Sequence, residues 1–236
     1  MLRYDRRGDD VPLELQAADA LSAIALLRER DDIDPTHIGV WGFSQGAWVA
    51  PIVAAQSADV AFLVLVASTG VSPSEQMLYG TAKHARDAGF GEDEVSRLVA
   101  LRRVVDQWRR GRVAREEAQA AVDAARDEPW FAHAWVPITL GDGIWPNMDF
   151  DPEPVFARVR VPVLLFYGED DEWQPIEASI AAWRRAAQRA HNGDVTIVRL
   201  AGTRHAPTHG GREDIDAVAP EYEQRLVSWM GEHVLR

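Results

Sequence analysis

Ile38-Gly39-Val40-Trp41-Gly42-Phe43-Ser44-Gln45-Gly46 runs from an apolar strand-like stretch into G-x-S-x-G, and Ala47-Trp48-Val49-Ala50 carries on as a helix. A serine at such a junction sits on a sharp, strained strand-to-helix turn with its Oγ pointing outward. Side chains two residues either way are expected to collide there, so Gly42 and Gly46 remove them. The N–H of Gln45, at the helix start, is aimed at the oxyanion that forms when Ser44 attacks a carbonyl. G-x-S-x-G alone arises often by chance. Its position after a clear strand and before a clear helix gives it meaning.

Working outward, strand and helix alternate, which argues for a mostly parallel sheet with helices on both faces, an α/β fold. Leu2-Arg3-Tyr4-Asp5 reads as a short strand. Leu13, Ala17, Ala20, Ile24 and Leu27 recur at helical spacing, predicting a helix that ends near Asp31. A second helix runs from about Ser44 to Ser57. Ala61–Val66 is apolar on both faces, as central parallel strands are. From about Val71 to Pro154 the pattern changes to charged helical segments at Glu75–Ala88, Glu92–Arg110 and Arg115–Arg126, with no convincing strand. That is too long for a simple connection, so residues 71–154 read as an inserted helical cap, and residues 1–70 and 155–236 as the core. Strands return at Val163–Tyr167 and Val195–Leu200, with helices at Glu177–Arg189 and Glu221–His233.

Two further groups lie at strand ends. Gly168-Glu169-Asp170-Asp171-Glu172 follows the third of these apolar strands, and four adjacent acids would normally be a solvated turn. Asp171 stands out by its G-x-x-D setting, with Pro175 closing the loop; Asp170 and Glu172 are its rivals. His205 follows the last strand in Gly202-Thr203-Arg204-His205-Ala206, and His209 is its nearby competitor. His205 and His209 have the i, i+4 spacing of a metal pair, but Pro207 between them argues against the helix such a pair needs. Ser44, Asp171 and His205 thus fall at the carboxyl ends of predicted parallel strands, the edge where open α/β sheets place ligand sites. Trp108, Trp130, Trp135 and Trp145 read as core of the cap, and the other histidines as surface or packing groups.

The 236 residues are 47% hydrophobic and 26% charged, an ordinary globular balance. A formal charge of −12 argues against a nucleic-acid partner. The absence of cysteine excludes disulfides and thiol chemistry. No apolar run reaches the length of a membrane span, and the start does not read as a signal peptide, so the default reading is a cytoplasmic protein with no membrane partner.

These stretches together resemble the α/β-hydrolase superfamily, in particular capped bacterial serine esterases with prolyl-oligopeptidase-like or dienelactone-hydrolase-like cores. The resemblance is carried by Tyr4-Asp5-Arg6-Arg7-Gly8, Ile38–Ala50, Phe150–Pro175 and Arg204-His205-Ala206. It implies Ser44 as nucleophile, Asp171 as triad acid and His205 as general base, in the chain order Ser, Asp, His of that fold. It also implies a small-molecule ester substrate and no cofactor, with a peptidase or thioesterase as nearest rival and a non-catalytic binding module as the alternative. In such relatives YDRRG closes the fourth strand and is followed by G-x-S, where this chain has Gly8-Asp9-Asp10. The resemblance therefore leads us to expect an N-terminally incomplete sheet, with no counterpart of the loop that donates the second oxyanion N–H. An alternative expectation is that Leu2–Asp5 closes the gap by pairing with the nucleophile strand.

Overall fold

The computed structural model describes residues 1–8, 11–141, 145–210 and 215–234. Asp9 and Asp10, which stand where the relatives that the sequence resembles carry G-x-S, lie outside them. The chain divides into two compact units: residues 1–7, 12–71 and 151–236 form one, and residues 8–11 and 72–150 the other.

The first unit is built on four parallel strands, β1 (Gly39–Phe43), β2 (Phe62–Val66), β3 (Val163–Gly168) and β4 (Val195–Leu200), arranged side by side in chain order. The register runs from Gly42 opposite Leu65 to Leu65 opposite Leu165 and Leu165 opposite Ile197. β2 and β3 are almost wholly apolar because both faces are covered. Val64, Val66, Leu164 and Phe166 point to one face, where Trp229 of α8 (Pro220–His233) packs on them. Period-two alternation sends Leu63, Leu65, Val163 and Leu165 to the other face.

That other side carries α1 (Leu13–Arg28), whose Leu13, Ala17, Ala20 and Ile24 are buried at helical spacing against α2 (Gly46–Gln56). The short helix α6 (Glu153–Phe156) leans on α7 (Ile176–Ala190) through a Phe156–Trp183 stack with ring centroids 4.0 Å apart. Glu153 fastens the same two helices by accepting hydrogen bonds from Arg185 and Arg189, and the Arg185 bond is the main cause holding its carboxyl below the usual range.

Leu2–Asp5 forms no strand, contrary to the expectation from sequence, and β1, the strand that leads into Ser44, is an edge with no second neighbour among the described residues. Only Leu2 and Tyr4 in this stretch are apolar, and Tyr4 stays exposed, so there is little burial to drive pairing. Side chains hold the segment instead. Arg7 makes a bidentate pair with Asp19 of α1 at 2.5 and 2.8 Å, and Arg6 donates to the side-chain oxygen of Gln45.

The second unit is helical: α3 (Pro73–Asp87), α4 (Glu92–Arg109) and α5 (Arg115–Ala125). Ser72 and Glu75 form a reciprocal capping box that starts α3. Leu98, Val105, Val122, Trp130 and Leu140 make its core, with Trp108 partly buried beside them. Trp135 does not join that core. It has a left-handed backbone and is 51% exposed. Inside the unit, Arg102 pairs with Asp106 at 3.1 Å, and Asp106 also accepts from Ser74. No helix among the described residues is long and apolar enough to cross a membrane.

Candidate active site

Three loops at the carboxyl ends of β1, β3 and β4 meet in the first unit. Ser44 follows β1 with φ +52°, a left-handed backbone that costs an L-residue about 1–2 kcal/mol and marks a turn held under strain. Its N–H donates to Val66 O at 3.0 Å, and its carbonyl accepts the first helical bond of α2 from Ala47 at 2.9 Å. The turn is therefore fixed to the sheet on one side and to the helix on the other. The N–H of Gln45 precedes the first helical bond and has no partner within α2. It lies next to Ser44, where it could donate to an oxyanion formed by attack of the serine on a carbonyl.

The two flanking glycines are not equivalent, which corrects the sequence argument. A Cβ on Gly42 would lie 2.3 Å from Gly46 O, so that position admits no side chain. A Cβ on Gly46 would meet nothing within 4 Å. The helix leaves the turn in a direction that opens space above Gly46 and closes it above Gly42. Gly42→Ala is expected to destabilise the fold by about 3 kcal/mol or to prevent folding. Gly46→Ala is expected to leave thermal stability equal or raised, because alanine favours the helix start by up to about 1 kcal/mol. Thermal melts of the two variants check this.

Asp171 follows β3 and is 2% exposed. Its Oδ1 accepts the N–H groups of Trp173 at 2.8 Å and Gln174 at 3.1 Å, so the loop closes on the carboxylate that it carries. Both carboxylate oxygens face His205 Nδ1, at 3.1 and 3.0 Å. His205 Nε2 lies 2.9 Å from Ser44 Oγ. The ring also rests against Phe43, with centroids 5.1 Å apart. With Asp171 ionised, Nδ1 carries the proton and Nε2 is the acceptor for the Ser44 hydroxyl.

The rivals are occupied elsewhere. Glu172 pairs with Arg204 at 3.2 Å, Asp170 is exposed, and His209 turns its Nδ1 to Gly202 O at 3.3 Å. Gly168 explains how the last two loops come so close. A Cβ there would lie 2.0 Å from Arg204 O, so the His205 loop packs directly on the backbone at the end of β3. Tyr167, fully buried one residue earlier, donates to Ser68 O at 2.8 Å. Burial, reinforced by the Asp171 charge, pushes its phenol far above the ordinary value, so it stays a neutral donor.

A serine, a histidine and an acid joined in this way, on a parallel sheet, are accompanied by a match over nearly the whole sequence. Residues 2–221 match the alpha/beta hydrolase family. The chain belongs to that family. Its fold is similar to the crystal structure of VinJ, at 17% identity over 97% of this chain and 75% of that one, with a TM-score of 0.57. It is similar to an esterase from Pyrococcus furiosus at 14% identity, covering 93% of this chain and 62% of that one, with a TM-score of 0.55. It is also similar to a proline iminopeptidase from Mycobacterium smegmatis at 16% identity, covering 98% and 75%, with a TM-score of 0.54. No curated protein matches the sequence. Likeness at these identities fixes the fold of this alpha/beta hydrolase and leaves its substrate to its own residues.

Several groups around the site of this hydrolase were not singled out from sequence. Phe43 had a visible signal, being the residue just before the serine. Arg6 lay in the YDRRG stretch, but its tie to Gln45 had no signal, nor had the buried pair Thr69–Gln174, because each contact joins loops far apart in the chain.

Proposed function

We propose that this alpha/beta hydrolase cleaves carboxylic esters through an acyl-enzyme on Ser44, with the helical unit as its cap. The observation that carries the reading is His205, placed within hydrogen-bond reach of both Ser44 Oγ and Asp171. Nε2 takes the hydroxyl proton as Oγ attacks the ester carbonyl, and Asp171 holds the ring in the needed tautomer and stabilises its cation. The N–H of Gln45 receives the oxyanion. The imidazolium returns its proton to the departing alcohol, and the acyl group remains on Ser44. Water, deprotonated by the same nitrogen, then attacks that acyl group, and the imidazolium returns the proton to Ser44 Oγ as the acid leaves. No step calls for a cofactor. The chemistry itself would serve a thioester or a peptide equally well. Esters are favoured over peptides because an alcohol is a better leaving group than an amine and asks less of a site with one clear N–H donor among the described residues, and a thioester is the nearest rival.

The test combines a burst assay on a short p-nitrophenyl ester with labelling by a fluorophosphonate and peptide mass mapping. A burst of nitrophenol and a single adduct on the Ser44 peptide are expected. A folded chain that gives no burst and no adduct would leave the binding-module reading in its place.

A further inference from the structure

The mechanism makes no use of a buried polar chain running from the helix behind Ser44 to the loop of Asp171. Trp48, four residues along α2 from Ser44, donates its indole N–H to Thr69 O at 2.8 Å. The Thr69 hydroxyl donates to Gln174 Oε1. Gln174 in turn gives its backbone N–H to Asp171 Oδ1 at 3.1 Å. Thr69 and Gln174 are 1% and 0% exposed. Thr69 is also well fixed, because its neighbours Ser68 and Gly70 are held by Trp183, Tyr167 and Ser179.

One feature argues against a purely structural role. Gln174 Nε2 is buried and has no hydrogen-bond partner among the described residues. An unpaired buried donor lowers stability, and an apolar side chain of the same volume would avoid the loss. We propose that Thr69 and Gln174 are positioning residues, which set Asp171 against His205 and thereby tune the basicity of His205. The inference rests on the triad reading above. Apart from Asp171, the ionisable groups on the described loops around His205 are Glu169 (paired with Arg199), Asp170, the Glu172–Arg204 pair and His209, with Tyr167 neutral below.

The double variant Thr69→Val/Gln174→Met removes both partners together and leaves no new unpaired group on either residue. Its melting temperature is expected at or above that of the unaltered chain. With a p-nitrophenyl ester, kcat is expected to fall about tenfold with KM within about twofold, since misplacement by a fraction of an ångström affects the transition state more than binding. A less well aimed Asp171 stabilises the imidazolium less, so the pKa of His205 drops and the acid limb of kcat/KM moves to lower pH. Thr69→Ser, which keeps the hydroxyl, is expected to restore the original profile. In an Asp171→Asn background the double variant is expected to cause no further loss.

An unchanged kcat and pH profile in the double variant, or a full additional loss in the Asp171→Asn background, would overturn the proposal. NMR titration of His205 gives the same answer without turnover. A lowered pKa in the double variant supports the positioning role even if the chain hydrolyses no ester, whereas an unmoved one refutes it. Failure of the hydrolase reading shows separately, as absence of a fluorophosphonate adduct on Ser44.

Discussion

Ser44→Ala is expected to lower ester hydrolysis by about a million-fold, to the level that binding and the oxyanion donor alone sustain. The fold should be indifferent to it. Alanine meets the same left-handed backbone as serine at φ +52°, and the substitution removes one partly exposed hydrogen bond to His205. Ser44→Gly makes the sharper comparison. Glycine adopts that backbone without strain, so this variant is expected to be equally inactive yet more stable by about 1 kcal/mol, less its larger loss of freedom on folding. Denaturant melts beside the burst assay read both quantities. A Ser44→Gly variant less stable than Ser44→Ala would mean that the elbow stores no strain, and residual bursts in either would point to another nucleophile.

Asp171→Asn is expected to cost about 10^4-fold in kcat while the chain stays folded. The reason lies in the hydrogen bonds already made by the loop. Oδ1 accepts from two backbone N–H groups, of Trp173 and Gln174, so an asparagine must keep its carbonyl oxygen there. Its NH2 then occupies the place of Oδ2 and donates to His205 Nδ1. That drives the ring proton to Nε2, which faces Ser44 as a donor and can no longer take its proton. The nitrogen chemical shifts of His205 should show the exchanged tautomer in the variant. Activity within tenfold of the original would show that the orientation of His205 is set by something other than Asp171.

The four strands that form the sheet could be read from sequence to within a residue because they are short, rich in apolar and β-branched residues, and bounded by turns. Ser44 was legible for a different reason: the strand before it and the helix after it constrain what a G-x-S-x-G can be. Asp171 was separable from its acidic neighbours only by its place relative to β3, and the structure shows why. Its backbone partners, not its composition, bring it inward. Leu2–Asp5 was misread because four residues of plausible strand composition carry no information about whether a partner exists. Gly46 was misjudged because the direction in which α2 leaves the turn depends on packing against β1 and β2. The Thr69–Gln174 bond joins residues with nothing local in common, and no pattern in either stretch announces it.

The chain order of the sheet has a consequence for the time at which the site can exist. Each strand joins the one made before it, so a chain emerging from the ribosome could assemble the sheet progressively from β1 onward. The turn at Ser44 would be fixed once β2 has paired with β1. His205, however, stands 161 positions later, beyond the helical unit and the last strand. A nascent chain would therefore hold the shaped turn at Ser44 before its partner His205 exists, and the Ser44–His205–Asp171 geometry would close only after β4 and the loop that follows it have been made.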